Sequence, residues 1–246
     1  MIRSLLKWLI IASLVLLGVS LWRMHALPPA TELSSSLLEE PIQIPLKQAA
    51  FSVESHGIAY QVQPLYQYDL TGLVVSKHDA NTWWDYLHRE WNDSLNIVDL
   101  CVVWGNNVRS GSYADIDFSS GQFTCNFSTN SNEAFAAFDQ TAISNNHLLT
   151  DNPQLAKLMR SVQVGDQIHF RGQLAEYSHH HGFAFKRGTS ITRTDTGNGA
   201  CETVFIESFD ILRTGGKPWR SLCWIAGLML LFSLIAWFMQ PVRFND

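Results

Sequence analysis

The sequence predicts an α+β membrane protein in which two transmembrane helices flank one small, mostly β domain with inserted helices. Three observations carry that expectation. Residues 5–22 and 219–239 are apolar runs whose only charges, Lys7 and Arg220, sit near their edges. A run of roughly 18 or more apolar residues is long enough to cross a bilayer as a helix. The 246-residue chain has a formal net charge of -5, yet Ala26 to Leu212 alone holds ten Lys and Arg against twenty-one Asp and Glu. Within that acidic stretch, apolar residues come in short runs separated by Gly, Asn and Pro, the texture of strands and turns.

The ends read first. Tryptophans mark the margins of both runs at Trp8, Trp22, Trp219, Trp224 and Trp237, where amphipathic rings settle at the headgroup level. Arg3, Lys7, Arg23, Arg213, Lys217, Arg220 and Arg243 flank the runs, so the bilayer is the first expected partner. Arg3 and Lys7 ahead of an apolar stretch give the N-terminus the form of a signal anchor, and no small-residue cleavage site follows. The expectation is therefore residues 1–4 and 240–246 in the cytoplasm and the domain outside, in the periplasm at the inner membrane of a bacterium. The acidic domain argues against a nucleic-acid surface built on phosphate neutralisation.

Between the spans, residues 23–50 read as an extended linker, kept open by four prolines and a serine cluster. Residues 51–212 read as one domain, and 213–218 as a short second linker. Ile58 to Val62 and Tyr66 to Ser76 are strand-like, with Gly72 as a bend. Thr82 followed by Asp85 approximates a capping box for a helix over 81–93, with Trp84, Leu87, His88 and Trp91 on one face. Ile97 to Trp104 (IVDLCVVW) is the most strand-like segment, and Gly121 to Phe127 reads as its neighbour. Short helices follow over 131–139, capped by Ser131, and after Asp151-Asn152-Pro153, where a cap residue precedes a proline at a first helical position. The second has an apolar stripe of Leu155, Leu158, Met159 and Val162.

Val164 to Leu174 (VGDQIHFRGQL), a Gly-Asp turn feeding an alternating strand with a glycine in mid-strand, resembles the central strand of OB-type barrels. Glu202 to Leu212 (ETVFIESFDIL) resembles the closing strand of that fold. The resemblance implies a small, partly closed barrel or sandwich. It implies no function, because unrelated functions share such folds.

Chemistry-bearing residues are few. His179-His180-His181 with His169 suggests a metal, but consecutive residues on a strand point to opposite faces, so the run reads as a polar loop tip and no metal or cofactor is expected. The densest polar stretch contains Arg193, Asp195, Asn198, Cys201 and Glu202. Its oxygens lack the spacing of an EF-hand loop, and its Gly and Asn content fits a turn entering the last strand. No P-loop, G-x-S-x-G, H-E-x-x-H or C-x-x-C motif occurs, so no catalytic residue is named. Cys101, Cys125 and Cys201 lie in the domain, and a Cys101–Cys125 bridge is expected across a hairpin centred near Tyr113, with Cys125–Cys201 the competing pair. Cys223 and Gly227, four apart, read as a close-approach site for the second span. Trp83, Trp84, Trp91 and Trp104 exceed what the core requires and suit an interface. The functional expectation is a membrane-anchored structural or assembly factor whose domain binds other membrane or periplasmic proteins of an envelope complex. The alternative is an envelope enzyme or a small-ligand or metal-binding module that uses the Arg193–Glu202 loop and nearby histidines.

Overall fold

The computed structural model describes residues 2–197 and 200–240. The chain divides into two compact units, one formed by the terminal segments up to Ala26 and from Gly215, the other spanning Leu27–Thr214. In the first unit, α1 (Ile2–Arg23) and α6 (Lys217–Phe238) are each 22 residues long, and both are long and apolar enough to cross a membrane. That is compatible with a two-pass membrane protein.

The two helices pack antiparallel, with Arg3 near Gln240 at one end and Arg23 lying 5.8 Å from the Trp219 ring at the other. The residues buried between them are Leu6, Ser13 and Ser20 on α1 and Ala226 and Ser233 on α6. Both sets recur every seven residues, the period of a continuous seam between helices, and small side chains there let the backbones approach. A Cβ added at Gly227 would meet no side chain or neighbouring element within 4 Å. The expected close-approach site at Cys223 and Gly227 is therefore displaced by one residue, onto Ala226.

The second unit is built on β3 (Ile58–Asp79), a 22-residue strand long enough to serve several partners. It pairs with β1 (Ile42–Pro45), β2 (Phe51–Ser55), β4 (Asn96–Val103) and β8 (Gln167–His179), all antiparallel. The sheet continues from β4 to β7 (Ile143–Leu149), from β7 in parallel to β10 (Cys201–Arg213), and from β10 to β8 and β9 (Phe185–Arg187). Gly172 sits where β8 crosses β10 so closely that a Cβ would lie 2.3 Å from the Phe205 carbonyl oxygen. That crossing is the reason for the mid-strand glycine.

Tyr68, Leu70, Leu100, Val102, Leu148, Phe170, Leu174 and Val204 form the main core with Met159 of α5 (Pro153–Ser161). As the sequence suggests, Asn152 caps α5, its Oδ1 accepting from the N–H groups of Gln154 and Leu155. The other face of β4 carries Asp99, Cys101 and Val103 and is covered by a separate two-stranded ribbon, β5 (Asp117–Gly121) and β6 (Thr124–Ser128). Cys101 and Cys125 are joined, with Cα atoms 5.7 Å apart. The bridge does not cross a β4–β6 hairpin, because β6 pairs with β5, and Tyr113 lies in a 3-10 turn that donates its hydroxyl to the Pro28 carbonyl. The disulfide instead ties the ribbon to the main sheet.

Two further expectations change. The segment read as an open linker over 23–50 is packed: Leu37 is fully buried, Gln167 holds the backbone at Glu32 and Ser34, and β1 adds to the sheet edge. The helix expected over 81–93 shrinks to α2 (Leu87–Glu90), because Asp85 turns inward to two histidines and Trp84 remains partly in solvent.

Candidate functional site

Strands β4 and β7 are buried along their whole length yet carry Asn96, Asp99, Ser144, Asn145, Asn146 and His147. Buried polar groups are costly unless partnered, so where their hydrogen bonds go is the central structural question. Asp99 and His147 occupy facing register positions, and His147 Nδ1–H donates to Asp99 Oδ1 at 2.7 Å. Asn96 Nδ2 donates to the same oxygen at 2.9 Å, and the Phe123 N–H donates to Asp99 Oδ2 at 3.0 Å. Burial opposes charge on Asp99, but the His147 ring and the Asn96 amide overcome it and hold the carboxyl down at about 2. Burial also lowers the pKa of His147, which Asp99 only partly offsets. The ring is thus neutral near pH 7, with Nε2 free to accept a 2.8 Å bond from Arg187 Nη2.

The line continues in the other direction. Asn96 Nδ2 also lies 3.0 Å from His88 Nε2. Asn96 must present its donor to the Asp99 carboxylate, so His88 Nε2 accepts and its proton resides on Nδ1. That proton is donated to Asp85 Oδ2 at 2.6 Å, which also receives His78 Nε2–H at 2.6 Å, while Asp85 Oδ1 accepts the His88 N–H at 3.0 Å. His78, Asp85 and His88 have the donor types of a transition-metal site, with their ligand atoms within 4.8 Å of one another. Coordination through His88 Nδ1 requires a proton on Nε2, pointed at the Asn96 amino group. The tautomer this network selects is the wrong one for a metal, and the cluster reads as a knot of hydrogen bonds around a buried Asp85.

At the far end, Arg187 lies over Phe123, its guanidinium carbon 3.9 Å from the ring centroid. It borders a cavity of about 530 Å³ together with Asn145, Cys201, Cys125, Ile143 and Phe127. Cys101, Asn145 and Cys201 form one row across β4, β7 and β10, which places Cys201 on the same face as the disulfide. Burial raises the Cys201 thiol, so it is a poor nucleophile.

The polar stretch identified in the sequence is partly gathered. Arg193 donates to Glu202 Oε1 at 2.6 Å and stacks near the Trp104 and Tyr68 rings at 5.2 and 5.7 Å. Burial lifts Glu202 to about 7, with Arg193 opposing the rise. Asp195 instead accepts from the Ser190 hydroxyl. Asn198 lies outside the described residues. The histidine run is dispersed: His179 is buried, donating from Nε2 to the Trp91 carbonyl and accepting the His181 N–H at Nδ1, while His180 and His181 are exposed. His169 pairs elsewhere, 2.9 Å from Asp69.

The four tryptophans part company. Trp104 is fully buried, and Trp91 is half-buried against Phe123. Trp83 is 87% exposed and Trp84 45% exposed, joined by Tyr86 at 58%. Sequence reasoning missed Asp99, His147, His78, Asp85, His88 and Arg187 as a set. The visible signals were a lone aspartate inside an apolar strand and a histidine ending a run of polar residues in another buried strand. No protein-family model, curated protein or solved structure matches this chain.

Proposed function

We propose that the chain is a two-pass membrane-anchored factor whose domain, on the periplasmic side of an inner membrane, binds another protein of an envelope complex. The aromatic turn Trp83-Trp84-Asp85-Tyr86 carries this reading. Asp85 is pinned to His78 and His88, the N–H groups of Tyr86 and Leu87 both donate to Gln122 Oε1, and Arg89 donates to the Trp83 carbonyl. The turn is held rigid from inside while three aromatic side chains face water. Preorganised, exposed aromatic residues are the usual anchors of protein interfaces, since little entropy is lost when they dock. The acidic balance of the domain suits a partner with an apolar groove rimmed by basic residues and disfavours an anionic lipid surface.

Supporting the location are the signal-anchor form of the N-terminus and the Cys101–Cys125 bridge, which belongs in an oxidising compartment. The OB-type reading is supported by the circuit of pairings β3–β4–β7–β10–β8–β3, with β7–β10 its parallel contact and α5 between β7 and β8. The alternative centred on the Arg193–Glu202 loop draws less support, because Arg193 and Glu202 pair with each other while Asp195 turns away to the Ser190 hydroxyl, so the loop's charged groups do not converge on one point. A photo-crosslinking amino acid at position 83 in cells tests the proposal. A discrete protein adduct is expected there and not at Glu133. Adducts with lipid alone, or none, contradict it.

A further inference from the structure

We propose that the cavity beside β7 and β10 binds a small organic monocarboxylate, with Arg187 as its charge partner and Asn145 as a second hydrogen-bonding group. Two independent observations point there. Arg187 is held in place by Phe123 beneath it and His147 at one edge, yet among the described residues it forms no ion pair. Its neighbour Lys186 points the other way on β9 and pairs with Glu176 at 2.7 Å, as strand alternation requires. Asn145 borders the same cavity, is 3% exposed, and among the described residues its two side-chain polar atoms have no nitrogen or oxygen partner, the weakly bonding Cys201 thiol being the polar neighbour of the amide. A buried amide left unpaired costs stability, and a carboxylate oxygen that accepts from Nδ2 removes part of that cost.

The chemistry of the lining selects the ligand class. A guanidinium presents a planar fork that matches the two oxygens of a carboxylate. Among the described residues of the wall, one cation and no other charged group suit a single negative charge. Phe123, Phe127 and Ile143 supply apolar contact for the body of the molecule, and about 530 Å³ accommodates one of modest size. His147 contributes by keeping its Nε2 unprotonated: its neutral ring accepts from Arg187 and so aims the guanidinium without adding a second positive charge. Arg187 and Asn145 are thus ligand-contacting residues, and Asp99 and His147 are positioning residues behind them.

Cys201, on the wall of the same cavity, offers a readout that does not depend on knowing the natural ligand. The full chain in detergent micelles is exposed to 4-fluorobenzoate or its neutral counterpart 4-fluorobenzamide. Binding is followed by fluorine NMR, and alkylation of Cys201 by site-resolved mass spectrometry. The acid is expected to bind saturably and to slow Cys201 alkylation, leaving Cys223 as the internal control, while the amide does neither. Arg187→Gln is expected to weaken binding of the acid by about tenfold or more, the scale of losing a charge-assisted hydrogen bond, and Arg187→Lys to weaken it less. Asn145→Ala weakens it with Arg187 intact. Equal behaviour of acid and amide, no protection of Cys201 in the wild-type chain, or unchanged binding in a folded Arg187→Gln variant overturns the proposal.

Discussion

Asp99 and His147 face one another across β4 and β7, fully buried and 2.7 Å apart, and the pair joins Arg187 at one end of the interior line to Asn96, His88 and Asp85 at the other. Removing Asp99 leaves His147, Asn96 and the Phe123 N–H without their acceptor and leaves Arg187 without a compensating charge behind it. Asp99→Ala is expected to destabilise the domain by about 3–5 kcal/mol, the scale of leaving several buried hydrogen-bond donors without their charged acceptor. Denaturant unfolding of the full chain, followed by near-ultraviolet circular dichroism, measures this. A loss under about 1 kcal/mol, the range of an exposed pair, contradicts it.

Glu202 sets a pH dependence of the opposite sign to that of Asp99. Its folded pKa stands at about 7 against an ordinary 4.5, so the folded state holds the proton more tightly. Its contribution is full below the ordinary value and is lost as pH rises through 7. Between about pH 4 and pH 8 the wild type should lose up to about 3 kcal/mol relative to Glu202→Gln, whose side chain does not titrate. Parallel melting curves for the two proteins across that interval rule the effect out.

The disulfide ties β4 to the β5–β6 ribbon across a sequence separation of 24. Replacing both Cys101 and Cys125 with serine should cost about 3 kcal/mol by the chain-entropy scale. The ribbon carries Phe123 and Gln122, which support Asp99 and the aromatic turn. The double variant should therefore also become sensitive to proteolysis between residues 117 and 128. Resistance equal to wild type counts against the ribbon's dependence on the bridge.

The helix seam separates two adjacent positions. Ala226→Leu puts a branched side chain between the packed helices and should lower the melting temperature of the solubilised protein, whereas Gly227→Leu enters open space and should be tolerated. Equal effects at both positions would falsify the seven-residue seam.

Much of the frame was legible in the sequence because it rests on strong local signals. The two apolar runs, the Asn152-Pro153 start of α5 and the alternating strand around Gly172 follow from length, capping and periodicity alone. What was not legible depends on partners far apart in the chain. Asp99 looks like a flaw in an apolar strand until His147, 48 residues away, is placed opposite it. Asp85 looks like a helix-cap residue until His78 draws it inward and stops the helix short. The proline-rich segment looks like a linker because the burial of Leu37 depends on tertiary packing. The aromatic surplus divided by the same logic: Trp104 fills the core beneath Arg193, and Trp83 and Trp84 remain outside because the turn that carries them is knotted from within.

The most direct test of the account is the native assembly state of the chain in its own membranes. Native-gel electrophoresis of gently solubilised membranes should place the wild-type chain in a species larger than the free protein. Trp83→Ala combined with Trp84→Ala should release it to the free position while membrane insertion and the domain fold persist. If the double variant remains in the larger species, or the wild type migrates only as the free protein, the aromatic turn is not the contact that gives this domain its function.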